Sequence, residues 1–153
     1  KSSIKNLNYS DIEKITKKKI PLLNDILKAS KNKYFLFVEI KPIFSKKILK
    51  KLVSETSDYS KCVFISFKHK NIYDLLKINK KIKVGLSFHP PSSIKSIIKK
   101  SLNKNINCLV LDKSYLENKS IKKINKDKYF YTIKTKSEFK KYNKENNLIF
   151  ENL

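Results

Sequence analysis

Two charged residues at the end of an apolar run are the strongest candidates for chemistry. Glu39 lies near the end of the run at residues 34–40 and Lys41 directly follows that run, and the alternation of side chains along a strand places both on one face. The Glu39 carboxylate could bind a hard cation such as Mg²⁺ or Ca²⁺, and the Lys41 ammonium could neutralise charge that develops on a phosphate oxygen. The same spacing also allows a simple ion pair between them, so the residues alone leave both interpretations open.

Other polar residues stand at or near the ends of apolar runs. His89 precedes two prolines and could face the mouth of a sheet, whereas His69 is better interpreted as a loop or helix-start residue. Asp112 could also face a pocket, but a turn position with an exposed Asp112–Lys113 pair explains it more simply. None of these three residues belongs to a motif that by itself specifies a reaction.

The two cysteines indicate neither a disulfide framework nor a zinc site. Cys62 and Cys108 are too few and too far apart for either arrangement. Each lies within an apolar, β-branched run, so we expect both thiols to be buried and reduced.

The elements that would position these residues alternate regularly. Six strand-like runs occupy residues 34–40, 62–67, 82–88, 106–111, 129–133 and 147–151. Several of them are continuously apolar, which is typical of strands buried on both faces of a parallel sheet. Between them, lysine-rich segments carry apolar residues at helical spacing, as in the stripe Ile94, Ile97, Ile98 and Leu102.

Two short helices are predicted before the first strand. The spacing of Ser10 and Glu13 suggests a capping box at the start of the first. Leu23, Ile26 and Leu27 mark the second, with Pro21 tolerated in its first turn.

Repeated strand–helix units predict an α/β domain with parallel strands, spanning residues 1–153 as a single domain. Six strands in 153 residues fit either an open doubly wound sheet or about six of the eight units of a (β/α)8 barrel, the TIM barrel. In both architectures the carboxyl ends of the strands carry the active site.

The charge balance of +23 raises the possibility of a nucleic-acid partner. Every basic residue except the two histidines is lysine, however, and a chain poor in Gly and Ala but rich in Lys, Asn and Ile reflects A/T-rich codons. Phosphate and base recognition favours arginine, which is absent, so no nucleic-acid partner is expected. No apolar run reaches the length of a membrane span. No targeting segment survives in the sequence, which leaves the location open, and a cytoplasmic location is the expectation.

Several short motifs, in order along nearly the whole chain, resemble the glycerophosphodiester phosphodiesterase family. Residues 20–27 are similar to its "IPTLEEVL" segment, and 38–41 to its "EIK" strand. Ser66-Phe67 resembles its "SF", and residues 82–86 its "ikvGlL". Residues 131–134 are similar to its "WTVN", with Tyr131 for Trp, and 148–151 stand where the family has "IITD".

The resemblance implies a (β/α)8 barrel that hydrolyses glycerophosphodiesters to glycerol 3-phosphate and an alcohol with a divalent cation, Mg²⁺ or Ca²⁺. It implies that Glu39 is a metal ligand, that Lys41 is a catalytic cation facing the phosphate, and that Tyr131 is an aromatic wall of the substrate pocket; His89 is a further candidate for substrate binding. The family's "HRG" strand, its "ExD" metal pair and its second histidine lie upstream of "IPTL", so the chain alone is expected to be inactive.

Two alternatives remain at this stage. The substitutions in "WTVN" and "IITD" also fit a degenerate, non-catalytic barrel that binds a phosphorylated ligand or a partner. A basic nucleic-acid-binding module is motivated only by the net charge, and its affinity would fall steeply with salt.

Overall fold

The structure is a computed structural model that describes residues 6–142 and 146–151. The chain divides into two compact units, Lys1–Tyr34 and Phe35–Leu153, and the interpretation of residues 1–153 as one domain stays a prediction. Among the described residues, no helix combines the length and apolar character needed to cross a bilayer. The cytoplasmic location also stays a prediction.

The first unit contains the two predicted helices, α1 (Tyr9–Thr16) and α2 (Leu23–Ser30). The predicted capping box at Ser10 was wrong by two positions, because Asn8 is the N-cap and its side chain accepts from the Asp11 amide at 3.0 Å. Glu13 instead accepts from the amide of Ile20 at 3.1 Å. Pro21 precedes α2 instead of lying in its first turn.

The second unit alternates strands and helices from β1 to β6. Its elements are β1 (Leu36–Glu39), α3 (Lys46–Glu55), β2 (Cys62–Ser66), α4 (His69–Ile78), β3 (Lys83–Phe88), α5 (Ile94–Ser101), β4 (Cys108–Asp112), α6 (Lys119–Lys122), β5 (Asp127–Ile133), α7 (Lys136–Tyr142) and β6 (Asn147–Phe150). All six predicted strands are therefore confirmed. Leu102 was wrongly placed in the α5 stripe, since it follows the helix and is 74% exposed.

The strands form one parallel sheet in the order β1-β2-β3-β4-β5-β6. Each strand therefore pairs with its neighbours in sequence, with a helical crossover between them. A doubly wound sheet reverses its strand order at a switch point, and no reversal occurs here. The order excludes the open doubly wound alternative and is that of a (β/α)8 barrel.

Aromatic contacts show that the sheet is strongly curved. Phe37 on β1 and Tyr129 on β5 have ring centroids 4.7 Å apart. These strands are four positions apart, and in a flat sheet they would be separated by about 19 Å, since neighbouring strands lie about 4.8 Å apart. Contact between them requires the sheet to curl around its inner face.

The two faces of the sheet pack differently. One face packs against the helices and includes Phe64, Leu86, Leu109 and Leu111 together with helix residues such as Leu75. The opposite, concave face carries a smaller cluster that strand residues alone make up: Val63, Ile65, Cys108 and Val110, with Phe37, Tyr129, Tyr131 and Ile149 packed against them.

Both cysteines are free and buried, as predicted. Burial raises the pKa of the Cys62 thiol to about 11 and that of Cys108 to about 12. These thiols therefore remain protonated at neutral pH and act as small apolar groups in the packing.

Candidate active site at the carboxyl ends of the strands

Glu39 and Lys41 lie together at the carboxyl end of β1. The Lys41 Nζ is 3.3 Å from Glu39 Oε2, and the two side chains are 80% and 32% exposed. The ion pair anticipated from the spacing is therefore present. An exposed pair of this kind contributes little to stability, so both side chains can exchange this contact for a ligand at small cost.

Three aromatic rings contact one another at the carboxyl ends of β2, β3 and β5. Phe67, which follows β2, stacks on His89 with ring centroids 4.2 Å apart and planes inclined by 21°. The same Phe67 ring meets Tyr131 of β5 edge to face at 5.8 Å. His89 is exposed at the end of β3. The structure thus brings the predicted residues His89 and Tyr131 to one place through a ring for which the sequence suggested no role.

Tyr131 is oriented by a hydrogen bond to the end of β3, two strands away in the sheet. Its hydroxyl donates to the carbonyl oxygen of Phe88 at 2.7 Å. Burial, together with the nearby Asp112, Tyr115 and Glu39, raises the pKa of Tyr131 to about 12. The phenol is therefore neutral at physiological pH, and it acts as an apolar wall with one fixed polar end.

Asp112 is the last residue of β4 and serves as a turn residue. Its Oδ1 accepts from the amide of Ser114 at 2.9 Å, which caps the 3-10 turn Lys113–Tyr115. The predicted Asp112–Lys113 pair was wrong, because the Lys113 ammonium extends to Glu138 Oε1 at 2.5 Å.

His69 begins α4, in agreement with its interpretation as a helix-start residue. Its Nε2 lies 2.9 Å from the carbonyl oxygen of Ser87, and its Nδ1 lies 2.9 Å from Lys100 Nζ. Since an ammonium can only donate, Nδ1 accepts and Nε2–H donates. Burial is the largest cause that lowers the pKa of His69, and the nearby Lys100 also lowers it.

Little in the sequence indicated two features of this region, the role of the Phe67 ring and the state of the buried Ser87 hydroxyl. Phe67 was visible in the "SF" motif, but only the fold shows that it joins His89 to Tyr131. Ser87 on β3 is 1% exposed, and its hydroxyl is the buried side-chain polar atom without a partner among the described residues. The alternation along β3 predicts its face, but no sequence pattern marks an unpaired hydroxyl.

Solved structures share the fold of this chain. A glycerophosphodiester phosphodiesterase from Thermotoga maritima matches 96% of this chain and 67% of its own, at 17% identity and a TM-score of 0.73. Another from Parabacteroides distasonis matches 85% and 59%, at 14% identity and 0.63. An Oleispira antarctica phosphodiesterase in complex with the product sn-glycerol-3-phosphate matches 85% and 56%, at 15% identity and 0.60.

The sequence itself is too divergent for a sequence match. No protein-family model matches it, and no curated protein matches it. The chain spans 56–67% of the length of the three solved proteins. At 14–17% identity the likeness establishes the fold, and the resemblance seen in the motifs is confirmed at that level. The chain therefore has the fold of a partial (β/α)8 barrel of the glycerophosphodiester phosphodiesterase type.

Proposed function

We propose that this chain is the greater part of a barrel that hydrolyses glycerophosphodiesters to glycerol 3-phosphate and an alcohol. The observation that carries the proposal is the position of Glu39 and Lys41, 3.3 Å apart, at the carboxyl end of the first strand. That end is where barrels of this architecture hold their active sites. The motif resemblance and the shared fold point to the same activity.

The residues of the mouth divide into charged and aromatic groups. Lys41 is the catalytic cation and would face the phosphate, because its ammonium is exposed and released at little cost from the pair with Glu39. Tyr131 and His89, joined through Phe67, would form the wall against which the glycerol or alcohol part of a small-molecule substrate packs. A solved phosphodiesterase of this fold holds sn-glycerol-3-phosphate, which supports a ligand of this class.

The divalent cation, Mg²⁺ or Ca²⁺, remains part of the proposal, but the described residues supply only part of its ligands. Within residues 6–142 and 146–151, no three His, Cys, Asp or Glu side chains come together as a metal site. Glu39 would supply one carboxylate, and hard cations take about six or more oxygen ligands. The described residues therefore do not fit a complete metal site, and further ligands would have to come from groups outside them.

The test is turnover of a glycerophosphodiester by the natural full-length chain, followed as release of glycerol 3-phosphate with Mg²⁺ or Ca²⁺ and with a chelator. We expect Glu39→Ala to lower kcat/KM by about 100-fold or more, since a bound cation contributes several kcal/mol to transition-state stabilisation. Lys41→Ala should lower it through the loss of charge at the phosphate.

Glu55→Ala is the matched control. Glu55 is also paired with a lysine, Lys51, at 3.7 Å, but it lies on α3. Its loss should leave turnover unchanged. Metal-dependent turnover that is the same in Glu39→Ala and in the wild type would refute the role of Glu39. A full-length chain that binds glycerol 3-phosphate without turnover would support the degenerate, non-catalytic barrel instead.

A further inference from the structure

We infer that Ser66 and Asn71 are positioning residues that hold the loop after β1, and with it Lys41, in place at the mouth. The inference rests on the proposed function and concerns how its charged pair is fixed. Neither residue touches the groups that would react. Both act through the backbone of residues 40–44.

The Asn71 side chain reaches the loop from the first turn of α4. Its Nδ2 donates to the carbonyl oxygen of Pro42 at 2.7 Å, and its Oδ1 accepts from the amide of Phe44 at 3.0 Å. It is 1% exposed. Burying an amide is costly unless it is hydrogen-bonded, and both ends of this amide bond to a loop 27–29 residues earlier in the chain. The contact is therefore a tertiary clamp, not a helix cap.

Ser66 holds the other end of the same loop. Its Oγ donates to the carbonyl oxygen of Ile40 at 2.5 Å and accepts from the amide of Lys68 at 3.0 Å. Ser66 is 0% exposed, and Asn71 Nδ2 lies 3.4 Å from the same Oγ. Together the two side chains bond the backbone of residues on both sides of Lys41.

The clamp explains how the backbone of an exposed lysine, Lys41, can keep a defined position. The Lys41 side chain is 80% exposed and has little packing of its own. The residue before a proline is restricted to extended backbone conformations, and Pro42 follows it. With Ile40, Pro42 and Phe44 each bonded, the loop backbone is fixed, and only the side-chain torsions of Lys41 remain free.

The experiment compares Asn71→Ala and Ser66→Ala with Asn107→Ala in the natural full-length chain. Asn107 is a matched control, because its side chain also holds a backbone amide, that of Val84 at 2.8 Å, but at the opposite ends of the strands. Three quantities are measured: amide hydrogen exchange at Phe44 relative to Leu49, the thermal midpoint, and kcat and KM for a glycerophosphodiester.

We expect Asn71→Ala to speed exchange at Phe44 about tenfold relative to Leu49, which keeps its bond to Ser45. Both clamp variants should lower kcat by about tenfold or more, because small displacements of a catalytic group are costly. Their thermal midpoints should fall further than that of Asn107→Ala, because Ser66 and Asn71 are buried and Asn107 is exposed, so kcat is measured well below every midpoint. The fall in kcat beyond the control separates positioning from a merely structural role.

Unchanged exchange at Phe44 in Asn71→Ala would overturn the clamp. Faster exchange with the kcat of the Asn107→Ala control would overturn the positioning role while leaving the proposed function standing. If the wild type shows no turnover, the proposed function fails separately. Exchange at Phe44 then decides the clamp by itself: faster exchange supports it, and unchanged exchange refutes it.

Discussion

Gly85 on β3 tests the packing of the concave face by a single substitution. A Cβ at this position would lie 2.5 Å from Cys108 Sγ, 3.1 Å from the Cys108 carbonyl oxygen and 3.1 Å from Ile65 Cγ2. Real Cβ atoms do not approach a sulfur that closely, so Gly85→Ala must displace the thiol or separate the strands. The backbone at Gly85 does not have a positive φ, and the expected effect therefore comes from space and not from conformation.

The size and the sign of the effect follow from two opposing contributions. Overpacking a core by a methyl group costs about 1–3 kcal/mol. Replacing glycine by alanine where the backbone allows it stabilises a protein by about 0.4–1 kcal/mol through the unfolded chain. Steric overlap at three atoms should dominate. We expect a net loss of about 1–2 kcal/mol, which lowers the thermal midpoint of a chain of this size by about 2–8 °C.

Thermal unfolding followed by circular dichroism measures this loss, and a double-mutant cycle assigns it. Cys108→Ala removes the Sγ, so Gly85→Ala should cost less in that background, with a coupling of about 1 kcal/mol. The contact with the Cys108 carbonyl oxygen stays, so the rescue should be partial. A thermal midpoint of Gly85→Ala equal to or above that of the wild type would refute the close packing of β3 on β4.

The remaining predictions concern buried titratable groups. Because burial holds the pKa of Cys62 near 11 and that of Cys108 near 12, both thiols should react with a disulfide reagent at pH 8 only after denaturant is added; fast reaction in the native state would contradict their burial. The pKa of His69 is lowered below its usual 6.5 on folding, so the folded state binds fewer protons than the unfolded state, and stability should fall as pH drops through about 6.5. The thermal midpoint of the wild type should therefore drop more between pH 7.5 and 5.5 than that of His69→Asn, and equal drops would show that the burial of His69 does not govern this pH dependence.

The strands were predictable because each is a short, dense run of β-branched and aromatic residues. The apolar run from Cys62 to Ser66 directly predicts the continuous burial of β2. The start of α1 was less predictable, since Asn8, Ser10 and Asp11 are all suited to capping it. Only the backbone conformation decided that Asn8 takes the role.

The site was predictable in part. Glu39 and Lys41 are two residues apart, and alternation along a strand is enough to place them together. The grouping of Phe67, His89 and Tyr131 was not predictable from spacing, because these residues lie on β2, β3 and β5 or at their ends. Contacts between distant strands depend on how far the sheet curls.

The sequence by itself determined the alternation of strands and helices, the parallel sheet, the buried thiols and the charged pair at the end of β1. These are local properties, set by the periodicity of apolar residues and by side-chain alternation within single elements. Only the tertiary structure decided that the sheet curls until Phe37 meets Tyr129. It also decided that Lys113 pairs with Glu138 and that Asn71 bonds a loop 27–29 residues away. Such contacts depend on the packing of several elements at once, and no local pattern encodes their distances.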